Sequence, residues 1–317
     1  MPVHPRKIKT AVVTGPTGAI GCALCQRLLN NGVYVYAVCR PNSYRQGILP
    51  VNDNLCMIPC DIADYARLPG KVGEPVDAYF HLAWSGTSKE ARNNVLCQIA
   101  NISSTIDAVH AASELGCQIF IDAGSQAEYG YVDGALKPDT PCKPENPYGA
   151  AKLCAGQMSR LECGRLGIAH IWTRILSVYG PGDDPGSMIM RTTRKLLMNQ
   201  RPSLTAGEQV WDYLYVADAA EALYCAALYG QDGAIYPLGS GMAMPLKNYV
   251  EILRDTIDPS LPIGFGEVPY SPVQVMHLQA DIYALTAQTG FTPRVAFADG
   301  IKKTIEWVRT NIKLIDG

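Results

Sequence analysis

The sequence predicts a doubly wound α/β fold, a parallel sheet covered by helices on both faces, with a smaller mixed α/β lobe after it. Two observations carry that prediction. Short apolar, β-branched runs alternate with longer helical stretches through the first half of the 317 residues, and the alternation gives way after Gly180-Pro181-Gly182. Strand-like runs fall at 8–14, 33–39, 55–60, 78–83, 118–123 and 169–174, with helical stretches at 19–31, 90–115 and 147–166. Nearly continuous apolar strands separated by helices indicate strands buried on both faces. Beyond residue 182, helical segments near 187–199, 216–228, 246–256 and 297–311 are joined by Pro- and Gly-rich connections. The expected division is 1–176 for the sheet domain and 177–317 for the lobe, some segments of which return to the sheet.

Composition narrows the function classes. The chain is 48% hydrophobic and 18% charged, with a formal net charge of -2. That balance offers no basic footprint for nucleic acid or a membrane surface. Residues 1–10 are polar and basic without an apolar signal core, and no apolar run reaches the length of a membrane span. A cytoplasmic protein is expected. The 11 cysteines, several in apolar runs, read as reduced buried thiols. Cys22 and Cys25 have redox-motif spacing but lie on the helix after a glycine turn, where packing is the expected role. No Cys or His pattern suggests a metal site, and His81, His110, His170 and His277 are read as structural.

Thr14-Gly15-Pro16-Thr17-Gly18-Ala19-Ile20-Gly21 follows the first strand and opens the first helix. Glycines permit the tight turn and let the backbone approach a pyrophosphate, while the helix N-terminus offers free N–H groups and its positive dipole end. Set between two strands, this reads as a dinucleotide-binding (Rossmann) unit rather than a plain turn. The second strand ends Cys39-Arg40-Pro41-Asn42-Ser43, without the acid that would bind an NAD ribose hydroxyl. Arg40, helped by Ser43 and Arg45, suits a 2′-phosphate, so NADP is favoured over NAD.

Asn146-Pro147-Tyr148-Gly149-Ala150-Ala151-Lys152 has an N-cap residue and Pro at the first helical position. Tyr148 and Lys152 therefore stand at i and i+4 on one helical face. A phenol with pKa about 10 is a poor base at neutral pH. A neighbouring ammonium is expected to lower it into a useful acid/base range.

Together the G-x-x-G-x-x-G turn and the Y-x-x-x-K helix resemble the extended short-chain dehydrogenase/reductase family, whose epimerases and dehydratases modify nucleotide sugars. The resemblance implies a catalytic set of Ser125, Tyr148, Lys152 and Asn101. It implies cofactor contacts from Gly15, Thr17, Gly18, Ala19, Ile20, Gly21, Asp61 and Ile62 at the adenine, and Leu82 and Ala83 after His81, with Tyr148 and Lys152 at the nicotinamide ribose. It extends into the second half, where Arg174-Ile175-Leu176-Ser177-Val178-Tyr179-Gly180-Pro181-Gly182 resembles the family's R-x-x-N-V-Y-G-P-G and Trp211-Asp212-Tyr213 its R-D-F. Substrate contacts are thus expected from Trp84, Ser125, Gln126, Arg174, Ser177, Met188 and Trp211, with ordinary packing the alternative for Trp84, Met188 and Trp211. Ser177 and Trp211 replace an Asn and an Arg that hold the substrate diphosphate; Arg191, Arg194 or Arg294 would have to compensate.

The family's sugar 4,6-dehydratases carry an Asp-Glu pair directly after the catalytic Ser or Thr. Gln126-Ala127 stand there in this chain, and Glu128 lies one step further on, so dehydration is disfavoured. Reduction of a nucleotide-4-keto-6-deoxysugar with NADPH is favoured; 4-epimerisation with tightly held NAD is the alternative. A dinucleotide-sensing regulator without catalysis is a third reading, which the intact Tyr–Lys pair disfavours. The resemblance also implies a homodimer through the helices at 90–115 and 147–166.

Overall fold

The computed structural model describes residues 5–43, 45–87 and 89–315. Its first part runs β1 (Thr10–Thr14), α1 (Ala19–Leu29), β2 (Tyr34–Cys39), β3 (Leu55–Pro59), α2 (Leu68–Val72), β4 (Ala78–His81), α3 (Val95–Glu114), β5 (Ile119–Ser125), α4 (Pro147–Leu166) and β6 (Ala169–Ile175). The second part runs β7 (Ser177–Tyr179), α5 (Met188–Leu197), β8 (Val210–Tyr215), α6 (Val216–Tyr229), β9 (Ile235–Leu238), β10 (Ala243–Pro245), α7 (Leu246–Ile257), β11 (His277–Leu278), α8 (Tyr283–Thr289) and α9 (Phe297–Ile315).

Seven strands form a parallel sheet in the order β3-β2-β1-β4-β5-β6-β9. The order reverses direction between β1 and β4, which opens a crevice at the carboxyl ends of these two strands. One face of the sheet is covered by α1 and α6, around Leu24, Leu28, Ala222 and Leu223, all fully buried. The other face packs against α2, α3 and α4, around Tyr79, Phe120, Val109 and Cys163. Truncating a buried leucine such as Leu28 to alanine costs about 2–5 kcal/mol in such a core.

Strand β9 lies well past residue 176 yet forms the edge of the main sheet beside β6. The second part is therefore interleaved with the first, and α6 lies against α1, tied by the Arg27–Glu221 ion pair. A smaller four-stranded sheet, with β8 bonded to β7, β10 and β11, carries the lobe. Its core joins α5, α7 and α9 through Ile189, Leu253 and Ile301.

Candidate active site

The glycine turn sits in the crevice. Gly15 has φ +67, and a Cβ there would come within 2.9 Å of the Ala83 backbone nitrogen after β4. A side chain at Gly21 would run into the Gly15 carbonyl oxygen. Both positions need glycine for close backbone approach. Helix α1 starts at Gly18 with no side-chain cap, so its first N–H groups are left for an anionic ligand. Thr14 Oγ1 accepts from the Leu82 and Ala83 N–H groups, each at 3.2 Å, and locks the loop after β4 onto β1.

His81 shapes that loop. Its ring lies 3.0 Å from Thr14 Oγ1 and 3.3 Å from Thr105 Oγ1, and Thr105 itself donates to the Asn101 carbonyl. Those partners fit a neutral ring that accepts at Nδ1 and donates from Nε2. Burial, with the Lys152 charge nearby, pushes His81 down to about 3. It stays neutral and is no general base at neutral pH.

A cleft of about 520 Å³ opens above the turn, lined by Gly15, Gly18, Ala19, Ile20, Gly21, Leu82 and Ala123 on the sheet side. Gly182, Asp183, Asp184 and Pro185 also line it, and Arg45, another lining residue, donates to the Gly182 carbonyl. Thr17 lies within the turn itself. Arg40 is exposed at the end of β2, while Ser43 and Arg45 are half-buried. Asp61 caps the short helical turn after β3 by accepting from the Ala63 N–H, and half-buried Ile62 follows it. A cradle that admits no Cβ, uncapped helix N–H groups and an arginine at the rim suit a dinucleotide's diphosphate.

The Asn146 side chain caps α4 through the Gly149 N–H at 2.9 Å, and Pro147 takes the first helical position. This cap sets the helix so that Lys152 reaches back to the sheet and donates to the Ala123 carbonyl at 2.6 Å. Ala123 also lines the cleft. Ser125 at the tip of β5 acts on the Tyr148 phenol at the start of α4 and favours its ionised form. The Trp84 indole lies 3.6 Å from Lys152 Nζ, measured to the ring centre, and edge-on to Tyr148. The structure thus brings Ser125, Tyr148, Lys152 and Trp84 together beside the glycine cleft.

The expected acidification of Tyr148 by Lys152 is not what governs this phenol. Burial raises its pKa above the ordinary value, and Ser125 and the Arg92 charge oppose that rise. Arg92 lies over the ring at 4.3 Å, a contact the i, i+4 spacing gave no hint of. Lys152 is buried deeply enough that its own ammonium is pushed down.

Asn101 does not touch the reacting groups. Its side chain accepts from the Ser85 N–H and donates to the Ser85 and Cys97 carbonyls, so it fixes the loop that carries Trp84. Arg174 is not a substrate contact. It is buried, donates to Glu128 at 2.8 Å and to the Pro138 carbonyl, and covers the Tyr129 ring. Glu128 is fully buried and accepts from the Ser125 backbone N–H, Trp172 Nε1 and Arg174. That carboxylate does not line the cleft. Gln126 opens the single turn at 126–128, and its carbonyl receives the Tyr129 N–H.

A second cavity of about 300 Å³ lies in the lobe, lined by Met188, Arg191, Gln209, Trp211, Tyr213 and Phe265 among others. Trp211 Nε1 donates to Ser177 Oγ at 2.8 Å, so the two residues that depart from the expected pattern are paired with each other. Arg191 is exposed on this cavity, Arg194 is half-buried on α5, and Arg294 is exposed with its backbone N–H held by Asp218.

The NAD dependent epimerase/dehydratase family model matches residues 11–239, from β1 through the edge strand β9. The chain belongs to this family. A dTDP-glucose 4,6-dehydratase of Streptomyces niveus is 31% identical over 218 residues, covering 67% of this chain and 63% of that protein. The dTDP-4-dehydro-6-deoxyglucose reductase of Escherichia coli is 27% identical, covering 74% of this chain and 75% of that protein. The chain spans less than two thirds of the length of the dehydratase relatives, 61–63%. Among solved structures, a UDP-N-acetylglucosamine 4-epimerase from Methanobrevibacter ruminantium M1 shares the fold with a TM-score of 0.87 at 24% identity, covering 96% of this chain and 100% of that one. Within this family fold, Thr87, Asp183 and Asp184 line the cleft without having been singled out from sequence. The Asp183-Asp184 pair after Gly182 was the one available signal.

Proposed function

We propose that this chain is an NADP-dependent oxidoreductase acting on a nucleotide-activated sugar, reducing a 4-keto-6-deoxysugar at C4. The observation that carries the reading is the Ser125–Tyr148–Lys152 set beside a glycine-lined cleft in which no acid follows Ser125. Gln126 and Ala127 occupy the next two positions, and the Glu128 carboxylate is turned inward to Arg174 and Trp172. Such a site supports proton transfer at a carbinol or ketone oxygen and lacks the acid pair that water elimination needs.

The residues of the cleft fit a nicotinamide dinucleotide. The Gly15–Gly21 backbone and the start of α1 would hold its diphosphate, Arg40, Ser43 and Arg45 a ribose 2′-phosphate, and Lys152 the nicotinamide ribose. When bound, this cofactor supplies the hydride. Ser125 orients the sugar oxygen, and Tyr148 hands it a proton as the ketone becomes a hydroxyl. Trp211, Met188 and Arg191, lining the second cavity, would receive the nucleotide part. The resemblance to the Escherichia coli reductase supports the choice of reaction.

No described helix is long and apolar enough to cross a membrane, and a cytoplasmic location accompanies the reading. A homodimer accompanies it as well, formed by α3 and α4, which pack side by side and expose Leu96, Ile99, Met158 and Leu161.

The test is the fate of the cofactor. Net loss of NADPH with a panel of nucleotide-4-keto-6-deoxysugars is the expected result. Interconversion of plain nucleotide hexoses with no net redox change would replace the reading with 4-epimerisation, and no conversion of either panel would overturn it.

A further inference from the structure

Asp122 has no role in the reading above, and its surroundings are unusual. It is fully buried on β5, and neither carboxylate oxygen has a hydrogen-bond partner. In register it lies between His81 on β4 and Trp172 on β6. Neighbours in parallel strands that share a register position also share a face. Both have already used their polar atoms. His81 faces Thr14 and Thr105, and the Trp172 N–H points to Glu128. Neither neighbouring strand therefore supplies a side-chain partner to the carboxylate at this register.

Lys152 comes down onto this region from α4. One of its three N–H donors goes to the carbonyl of Ala123, the very next residue after Asp122. An isolated carboxylate and an isolated ammonium are each too costly to bury, whereas the two together compensate. We propose that Asp122 is a positioning residue, the buried counter-charge that keeps Lys152 an ammonium and holds it against the Ala123 carbonyl beside Tyr148.

The electrostatics agree with that placement. Burial pushes the Asp122 carboxyl up and the Lys152 ammonium down, and each charge opposes the other's shift. The remaining titratable groups that face the pair are His81 and Tyr79 on β4, Glu128 after β5, and Cys163 on α4. His81 is held neutral, Glu128 is bound to Arg174, and burial raises both Cys163 and Tyr79. The Tyr79 hydroxyl also lacks a partner, but it carries no charge to offset. The pair thus stands as the charge couple of this part of the core.

The inference rests on the reading of Ser125, Tyr148 and Lys152 as the reacting set, and its test is independent of turnover. Nitrogen-15 NMR of labelled lysine, with the Lys152 signal assigned through Lys152→Met, reports its protonation directly. In Asp122→Asn the Lys152 ammonium should lose its proton at a pH lower than in the wild type by about one unit or more. The high-pH limb of the activity profile should move down by the same amount, with the larger effect on kcat. Tyr79→Phe should leave the Lys152 titration in place. An unmoved Lys152 titration in a folded Asp122→Asn protein overturns the proposal, even if the enzyme turns over as proposed.

Should Asp122→Asn fail to fold, Lys152→Met gives the reciprocal measurement. With carbon-13 at the aspartate carboxyls, one buried carboxyl should titrate at a higher pH than in the wild type once the ammonium is gone. No such change among the aspartates overturns the proposal. If instead the Lys152 titration shifts as expected while no nucleotide sugar is converted, the charge pair stands and the catalytic reading falls.

Discussion

Tyr148 is held by opposing influences. Burial favours its neutral phenol, while Arg92 over the ring and the Ser125 hydroxyl favour the phenolate. A proton donor of this kind acts only at the reacting oxygen and contributes little to holding a dinucleotide. Tyr148→Phe should therefore reduce kcat by about 10²–10⁴-fold, with NADPH affinity, read by fluorescence titration, within a few-fold of wild type. Turnover near the wild-type rate would remove the proton-transfer role. The Tyr–Lys spacing was legible in the sequence because both residues lie one helical turn apart, so local periodicity alone places them on one face. Arg174 was not legible, since its partner Glu128 stands 46 residues away on a different element and only the folded sheet brings them together. Arg92 escaped for the same reason: it comes from the segment before α3, and nothing local ties it to α4.

At the scale of elements, the first strand–turn–helix unit and both long helices lay close to their expected positions, with α4 covering the predicted 147–166. Its ends are marked by chemistry that sequence carries outright: an Asn cap, Pro at the first position, and Gly167 with φ 75 at the C-cap. Strands β7 to β11 went unseen. All but the six-residue β8 span two to four residues, too few to display a period, and their pairing partners are remote in sequence. Helices α3 and α4 make a separate prediction. Leu96 is 79% exposed and Leu161 61% exposed on the helix pair, a poor place for leucine unless a second copy covers it. The protein should sediment as a dimer, and Leu96→Lys with Leu161→Lys should give a folded monomer. A wild-type chain that is monomeric at micromolar concentration would contradict this.

For the molecule as a whole, the main sheet positions everything else. Its order reverses beside β1, its tip carries Ser125, and its buried face holds histidines that must stay neutral. His170 is stacked between Phe120 and Trp172 and is pushed down to about 4 by burial. An unfolded histidine titrates at about 6.5. Between those values the unfolded chain binds a proton that the folded chain refuses, so this group's contribution to stability is complete above the upper value and declines as pH falls toward the lower. His170→Phe should therefore flatten the loss of stability on acidification, by up to about 1.4 kcal/mol per pH unit. Urea melts of the two proteins at a series of pH values measure the difference; parallel curves would mean that His170 takes up its proton as readily in the fold as in the unfolded chain.

The placement of Ser125, Tyr148 and Lys152 over the Gly15–Gly21 turn has one chemical consequence that can be followed atom by atom. NADPH carrying deuterium at the transferable position of C4 is incubated with a nucleotide-4-keto-6-deoxysugar, and the product is examined by mass spectrometry and NMR. One deuterium is expected on sugar C4 with the wild-type protein, and Tyr148→Phe should form the same labelled product about 10²–10⁴-fold more slowly. A product formed without deuterium, or formed equally fast by both proteins, would contradict that placement.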